Sequence, residues 1–202
     1  MKVILNEISK RFTTQWILKK VNFTFLSGNV YGIRGYNGSG KSTLMKIIST
    51  QLPPTLGQVT YFSDDEKEYN VDTAKNLISF AAPYITPFEN LSLKEQFNFH
   101  STFRSFRDGI NYEVFKDLLK YDFKDHQLIK NYSSGMKQRL SLALTVLSKS
   151  EVVLLDEPTS FLDVNAKDWF YSLLEEESDK KTIIISSNDS LDLKNCKEFI
   201  DL

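Results

Sequence analysis

At 202 residues, 41% hydrophobic and 25% charged, the chain is long enough to bury one substantial core and short for two independent domains. Its formal net charge of −1 offers no basic face of the kind nucleic acid demands, so no nucleic-acid partner is expected. The one cysteine, Cys196, cannot close an internal disulfide and reads as a small apolar residue in a reducing compartment, and no apolar run approaches the roughly 20 residues that span a bilayer.

Alternating patterns over Lys2–Ile8 and Ile17–Phe25 predict strands of an antiparallel layer. Asn29–Arg34 predicts another strand, running straight into a glycine-rich turn. Lys41–Thr50 follows as a helix, stopped by Pro53 and Pro54. Strands are expected at Gln58–Phe62 and Asn76–Ala81, with the acidic stretch Asp64–Glu68 as a solvated turn between them. Pro83 and Pro87 mark an irregular loop. From Ser92 to Leu147 helical periodicity takes over, through Leu93 and Phe97, Val114 and Leu118, then Leu140, Leu144 and Leu147. That change predicts a helical lobe, about 90–148, inserted into an α/β core. Val152–Leu155 is an uninterrupted apolar run, expected of a strand buried on both faces. A helix near Ala166–Leu174, a strand at Thr182–Ser186 and a last strand at Glu198–Leu202 complete one domain over 1–202.

Two motifs carry chemistry. Gly35-Tyr36-Asn37-Gly38-Ser39-Gly40-Lys41-Ser42-Thr43 matches the P-loop pattern, with a strand entering and a helix leaving. Such a loop curls so that successive N–H groups face one oxyanion, and the helix that follows adds its positive end. Lys41 then serves as a point charge for the β- and γ-phosphates, and the Ser42 hydroxyl as a ligand for Mg²⁺. The second motif is Val152-Val153-Leu154-Leu155-Asp156-Glu157, two carboxylates at the carboxyl end of a buried strand, where α/β sheets bind ligands. Asp156 suits the metal and Glu157 the polarisation of an attacking water.

A third stretch, Tyr132-Ser133-Ser134-Gly135-Met136-Lys137-Gln138-Arg139-Leu140, resembles the Leu-Ser-Gly-Gly-Gln signature of the ATP-binding cassette (ABC) ATPases, with its following Gln-Arg. Ser133 and Gly135 agree with that consensus; Tyr132, Ser134 and Met136 depart from it. The order of P-loop, helical lobe, signature, acidic strand and final strand is also similar to the family's, across essentially the whole chain. The resemblance implies a P-loop α/β core with an N-terminal antiparallel layer, ATP and Mg²⁺ as ligands, and hydrolysis of ATP coupled to transport. It implies a second ATPase subunit, in a homodimer or heterodimer, whose Ser133, Ser134 and Gly135 hold the γ-phosphate bound at the first subunit's P-loop. Asp163 in Ser160-Phe161-Leu162-Asp163 resembles the D-loop residue, and Phe12, 23 positions before Gly35, the aromatic residue that stacks on adenine, with Trp16 as the competitor. The start, MKVILNEISKRF, turns polar too soon for a signal-peptide core. A transmembrane permease subunit is therefore expected to supply the pathway and to hold this chain at the cytoplasmic face of the inner or plasma membrane. The loop Tyr84–Glu89, with Tyr84, Phe88 and Leu91, is the expected contact.

Two positions depart from the family in ways that matter. Asn188 stands where a switch histidine contacts the γ-phosphate, and its amide can donate a hydrogen bond but carries no positive charge. Pro83 stands where a glutamine is expected and has no side chain to reach metal or water. His100 and His126 are expected to be packed or solvated rather than substitutes. These departures keep a hydrolysis-impaired regulatory subunit as an alternative, beside a soluble ABC ATPase outside transport.

Overall fold

The computed structural model describes residues 1–124 and 126–202. Two strands, β1 (Lys2–Phe12) and β2 (Gln15–Phe25), form an antiparallel hairpin. The strand β3 (Val30–Arg34) leads into α1 (Lys41–Ile48). β4 (Leu56–Phe62) and β5 (Glu68–Tyr69) complete a four-stranded layer ordered β2-β1-β4-β5, and Asp64–Lys67 is the turn between them. β1 runs on past the predicted end at Ile8 to Phe12, and β2 starts two residues before the predicted Ile17, which carries Phe12 to the tip beside its cross-strand partner Gln15.

Helix α2 (Val71–Leu77) precedes β6 (Ile78–Ala81). The predicted strand at Asn76–Ala81 is thus shorter by two residues, and the helix before it carries only one buried residue, Ala74, too little for a periodic signal. Asn70 starts it by accepting a hydrogen bond from the Thr73 N–H at 2.8 Å. Helix α3 (Leu93–Phe103) opens on a capping box, Ser92 with Glu95. After α4 (Tyr112–Leu118) and a 3₁₀ turn at Ile129–Asn131 comes α5 (Ser134–Val146). β7 (Val152–Asp156), α6 (Val164–Ser178), β8 (Thr182–Ser186) and β9 (Glu198–Asp201) follow.

Five of these strands make an all-parallel sheet ordered β6-β7-β8-β3-β9. Its apolar runs serve two cores at once, because successive side chains point to opposite faces. Val153, Leu155, Ile183 and Ile185 join a core with α3, α4, α5 and α6, built on Phe97, Phe115 and Phe170. Val152, Leu154 and Ile184 join a second core with α1 and the antiparallel layer, built on Phe25, Tyr31 and Met45. The chain therefore needs no alternation in β7 or β8, and has none.

Of the two histidines, His100 is packed and neutral: burial first, then the Arg104 charge, pushes its pKa down to about 4, and Nε2 lies 2.8 Å from Ser148 Oγ. His126 is exposed. Burial pushes the Cys196 thiol up to about 12, leaving it a poor nucleophile.

One buried ionic cluster ties α6 to the turn between α3 and α4 and to the end of α5. The fully buried Glu177 carboxylate lies 2.8 Å from Arg107 Nε, 3.2 Å from Lys181 Nζ and 3.4 Å from Lys180 Nζ. Lys181 Nζ also donates to the carbonyls of Val146 (2.5 Å), the last residue of α5, and Ser148 (2.8 Å), just past it. Burial lowers the proton affinity of Lys181 and Glu177 acts in the opposite direction. Removing the carboxylate leaves the buried Lys181 ammonium and the partly buried Arg107 without their anionic partner, so Glu177→Ala is expected to cost about 3–5 kcal/mol of unfolding free energy. Equilibrium denaturation in urea measures it, and a loss of under about 1 kcal/mol would show that the cluster does not hold the helices to the sheet.

Candidate nucleotide-binding site

The parallel sheet puts three chain turns side by side. In the order β7-β8-β3, the acidic pair leaves β7, Asn188 follows β8, and the glycine loop leaves β3. These positions are far apart in sequence and adjacent at the carboxyl edge of one sheet, the usual ligand edge of such folds.

At the entrance to α1, Gly40 has φ 109°, and a Cβ there would sit 2.8 Å from Leu18 Cδ2 and 2.9 Å from Ile17 Cγ2. Only glycine meets both demands, the left-handed backbone and the close approach of β2. The first turn of α1 has no acidic residue, so its positive end is uncompensated. Lys41 is 7% exposed, and its ammonium is held by Gly35 O at 2.8 Å, Asn188 Oδ1 at 3.0 Å and Tyr36 O at 3.4 Å. The nearest carboxylate, Glu157 Oε1, is 4.0 Å away. Asn188 uses both ends of its amide, since Nδ2 donates to Asn37 Oδ1 at 2.7 Å. The residue standing in place of a histidine thus bridges the lysine and the loop. Ser39 is buried, and its N–H donates to Tyr36 O at 3.1 Å, so this member of the loop faces inward.

Glu157 lies just beyond β7 with φ 45°, a left-handed conformation that costs a non-glycine residue free energy. The extended backbone of β7 therefore ends at Asp156. Glu157 N donates to Ser186 O at 2.7 Å, and the turn swings the carboxylate toward Lys41. Its pKa is raised, mainly by desolvation, with the Asn188 N–H and Lys41 acting against that.

Phe12, Asn37, Gly38, Gly40, Lys41, Ser42, Thr43 and Glu157 line one cleft of about 350 Å³. Phe12 is half-exposed there, with Lys10 Nζ 5.3 Å from its ring centre. Trp16 is not on that lining; it pairs across the hairpin with Arg11, whose guanidinium lies 5.4 Å from its ring. Asp156 is 2% exposed, and its Oδ1 is buried with no hydrogen-bond partner among the described residues. An orphaned anionic oxygen at the end of β7, with the exposed Ser42 hydroxyl on α1, is an all-oxygen donor pair of the type Mg²⁺ takes. The residues present fit that ion.

Ser133, Ser134 and Gly135 occupy a different place. Ser133 caps α5 by accepting from the Met136 N–H at 3.2 Å. A Cβ on Gly135 would meet the Phe161 carbonyl at 3.0 Å, so the signature turn and the Phe161–Asp163 turn pack backbone to backbone. Asp163 caps α6 by accepting from the Ala166 N–H at 2.8 Å. All four line a second cleft of about 750 Å³ that shares no lining residue with the first. One chain does not bring its signature turn to its own glycine loop. Pro83 lines neither cleft, but burial first, and then the Asp156 charge, push the neighbouring Tyr84 phenol up to about 12. Sequence reading missed Gln138, which is buried and donates to Pro158 O at 2.7 Å, tying α5 to the turn after Glu157; its place one turn into a helix gave no sign of that reach.

The φ at Glu157 yields a direct test. Glycine normally destabilises relative to alanine by about 0.5–1 kcal/mol. At a left-handed position the order should reverse, with Glu157→Gly more stable than Glu157→Ala by about 1 kcal/mol in denaturant unfolding without nucleotide. If alanine proves the more stable, the backbone there is not strained.

The molecule can now be set against known proteins. A family model described as ABC transporter matches residues 18–160, well over half of the chain. An uncharacterized ABC transporter ATP-binding protein of Bacillus subtilis, YcbN, is 28% identical over 158 residues, covering 78% of this chain and 51% of that protein. The chain therefore spans about half the length of that relative. A solved structure from Pyrococcus furiosus, provisionally named as an ABC transporter ATP-binding protein, matches at a TM-score of 0.83 and 26% identity, over 100% of this chain and 98% of that one. The ATP-binding cassette MJ0796, solved as a dimer in a post-hydrolysis state bound to ADP and phosphate, matches at 0.83 and 23% identity, over 99% and 94%. That last likeness is one of fold.

Proposed function

This chain belongs to the ABC transporter family, and on that premise we propose that it is the ATP-binding and ATP-hydrolysing subunit of a transporter, working as one of two cassettes that close on two ATP molecules. One observation carries the reading: Phe12, Lys41 and Glu157 line one cleft, with Asn188 bonded to Lys41 and Asn37 of that lining, while Ser133, Ser134 and Gly135 line another. Each chain then offers half of two sites, and a second ATPase subunit, identical or closely related, offers the complementary halves. Residues 1–202 act as one nucleotide-binding domain, with a helical subdomain at about 90–148. Among the described residues no helix is long and apolar enough to cross a membrane. The family membership supports a transmembrane permease subunit that supplies the pathway and holds the chain at the cytoplasmic face of the inner or plasma membrane. Of the residues expected at that contact, Tyr84 and Phe88 are exposed and suit it, and Phe99 packs against Phe88 at 4.8 Å between ring centres, whereas Leu91 is partly buried against the helical core.

The chemistry follows from the residues. Adenine stacks on Phe12. The triphosphate displaces the Gly35 and Tyr36 carbonyls from Lys41, replacing neutral oxygens by anionic ones. Ser42 and Asp156 would hold Mg²⁺, which when bound supplies positive charge against the β- and γ-phosphates. Glu157 orients and polarises the attacking water. Asn188 reaches the γ-phosphate through one amide donor, where a histidine would add charge. The Ser133 side of the second subunit supplies further donors from the N-terminus of α5, so the nucleotide joins the subunits and its hydrolysis releases them.

Glu157→Gln is expected to lower phosphate release by at least about 100-fold and to hold the ATP-bound dimer. In that background, chains carrying Tyr36→Cys and Ser134→Cys should be joined to one another by a short bifunctional thiol reagent only when ATP is present; crosslinks confined to single chains would end the two-subunit reading. Ser39 is too buried to serve in this test. Asn188→His, alone or with Pro83→Gln, should raise turnover at saturating ATP with KM changed by less than about threefold. No rise in either variant would show that these departures do not set the rate.

A further inference from the structure

Behind the candidate site lies a buried carboxylate that none of its motifs includes. Asp192, in the turn after β8, is 4% exposed. Its Oδ2 accepts from Ser187 Oγ at 2.6 Å and from Thr159 Oγ1 at 3.1 Å, and its Oδ1 from Tyr171 Oη at 2.9 Å. Three hydroxyls, from the turns after β8 and β7 and from α6, converge on one anion. Such charge-assisted bonds are about twice as strong as neutral ones, and a buried carboxylate is tolerable only when so satisfied.

Ser187 is the link to the site. A hydroxyl has one proton, and at 2.6 Å from Asp192, against 3.4 Å from Glu157 Oε2, the proton goes to Asp192. Ser187 Oγ is thereby fixed as an acceptor, and takes the Asp189 N–H at 3.0 Å. Asp189 is held in turn by Lys167 Nζ at 2.7 Å. Asn188 sits between these two anchored residues. Its N–H points to Glu157 Oε2 at 3.5 Å while its side chain spans Lys41 and Asn37.

We propose that Asp192 is a positioning residue: by gripping Ser187 it fixes the turn that presents Asn188 to Lys41 and Glu157. The proposal rests on the hydrolytic reading of the site and deepens it. Asp192 never touches nucleotide, so its loss should misplace Asn188 without removing any phosphate ligand.

The test compares Asp192→Asn, which keeps the shape but not the charge, with Ser187→Ala, their double variant, and Thr159→Val, which removes another hydroxyl from the same carboxylate without touching Asn188 or Glu157. Expected are a fall in kcat on the order of 10- to 100-fold in Asp192→Asn, KM for ATP within about threefold, and a similar fall in Ser187→Ala. The double variant should be no worse than either single one, because the residues act as a unit. Thr159→Val should keep kcat within about threefold. Amide hydrogen exchange, which needs no turnover, should show protection of Asp189 N–H lost in Asp192→Asn and retained in Thr159→Val. Equal kcat losses in Asp192→Asn and Thr159→Val, or an Asp189 amide unchanged by Asp192→Asn, would reduce Asp192 to a structural role and overturn the proposal. Failure of the unsubstituted chain to bind a fluorescent ATP analogue would instead overturn the reading of the site, and the proposal with it.

Discussion

A cation buried among neutral oxygens is the constraint around which this molecule is arranged. Lys41 is nearly out of water, and its hydrogen-bond partners are two loop carbonyls and an asparagine amide. Such partners satisfy geometry but leave charge uncompensated, and the nearest carboxylate stops 4.0 Å away. An ammonium in that position favours any anion that can enter, and the curled glycine loop and the uncompensated start of α1 add to the same field. The rest of the parallel sheet serves to bring an acid and an amide to that one point, with the buried Asp156 at the end of the same strand as the acid.

The arrangement also divides the labour between two places. Glu157 is held in a strained backbone conformation that aims it at Lys41, a feature that proteins keep where the surroundings over-determine it. The donors at the start of α5 lie on a separate cleft, packed against the Phe161 carbonyl. On the proposed reading, a site split in this way gains its second half from a second cassette, so binding and association become one event. Substitutions in the two halves should accordingly impair the same step, although no single chain brings them together.

Within the chain, polar networks rather than apolar contacts set the alignment. Ser187, Asp189 and Asn188 occupy one short turn, and each is held by a different partner. The Glu177 cluster does the same on the far side, fixing the helices to the end of α6. Apolar packing supplies most of the driving force for folding, but it is non-directional; hydrogen bonds to charged groups supply the directions.

Most of the elements and both phosphate-site motifs are legible in the order of residues alone. The glycine loop, the apolar strand ending in Asp156-Glu157, the signature turn and the change to helical periodicity after Ser92 are all local patterns, and local patterns are what backbone sterics and side-chain periodicity write into a chain. Short elements with little burial, such as α2, left no such mark, and the left-handed turn at Glu157 was invisible because nothing in Asp-Glu-Pro requires it. It takes the folded chain to show that Phe12 rather than Trp16 lines the cleft, that Asn188 bridges Lys41 and Asn37, and that Asp192 stands behind them. The reason is physical: these contacts join residues up to 151 positions apart, their geometry comes from the order in which the parallel strands pair, and strand order is not encoded in any one strand.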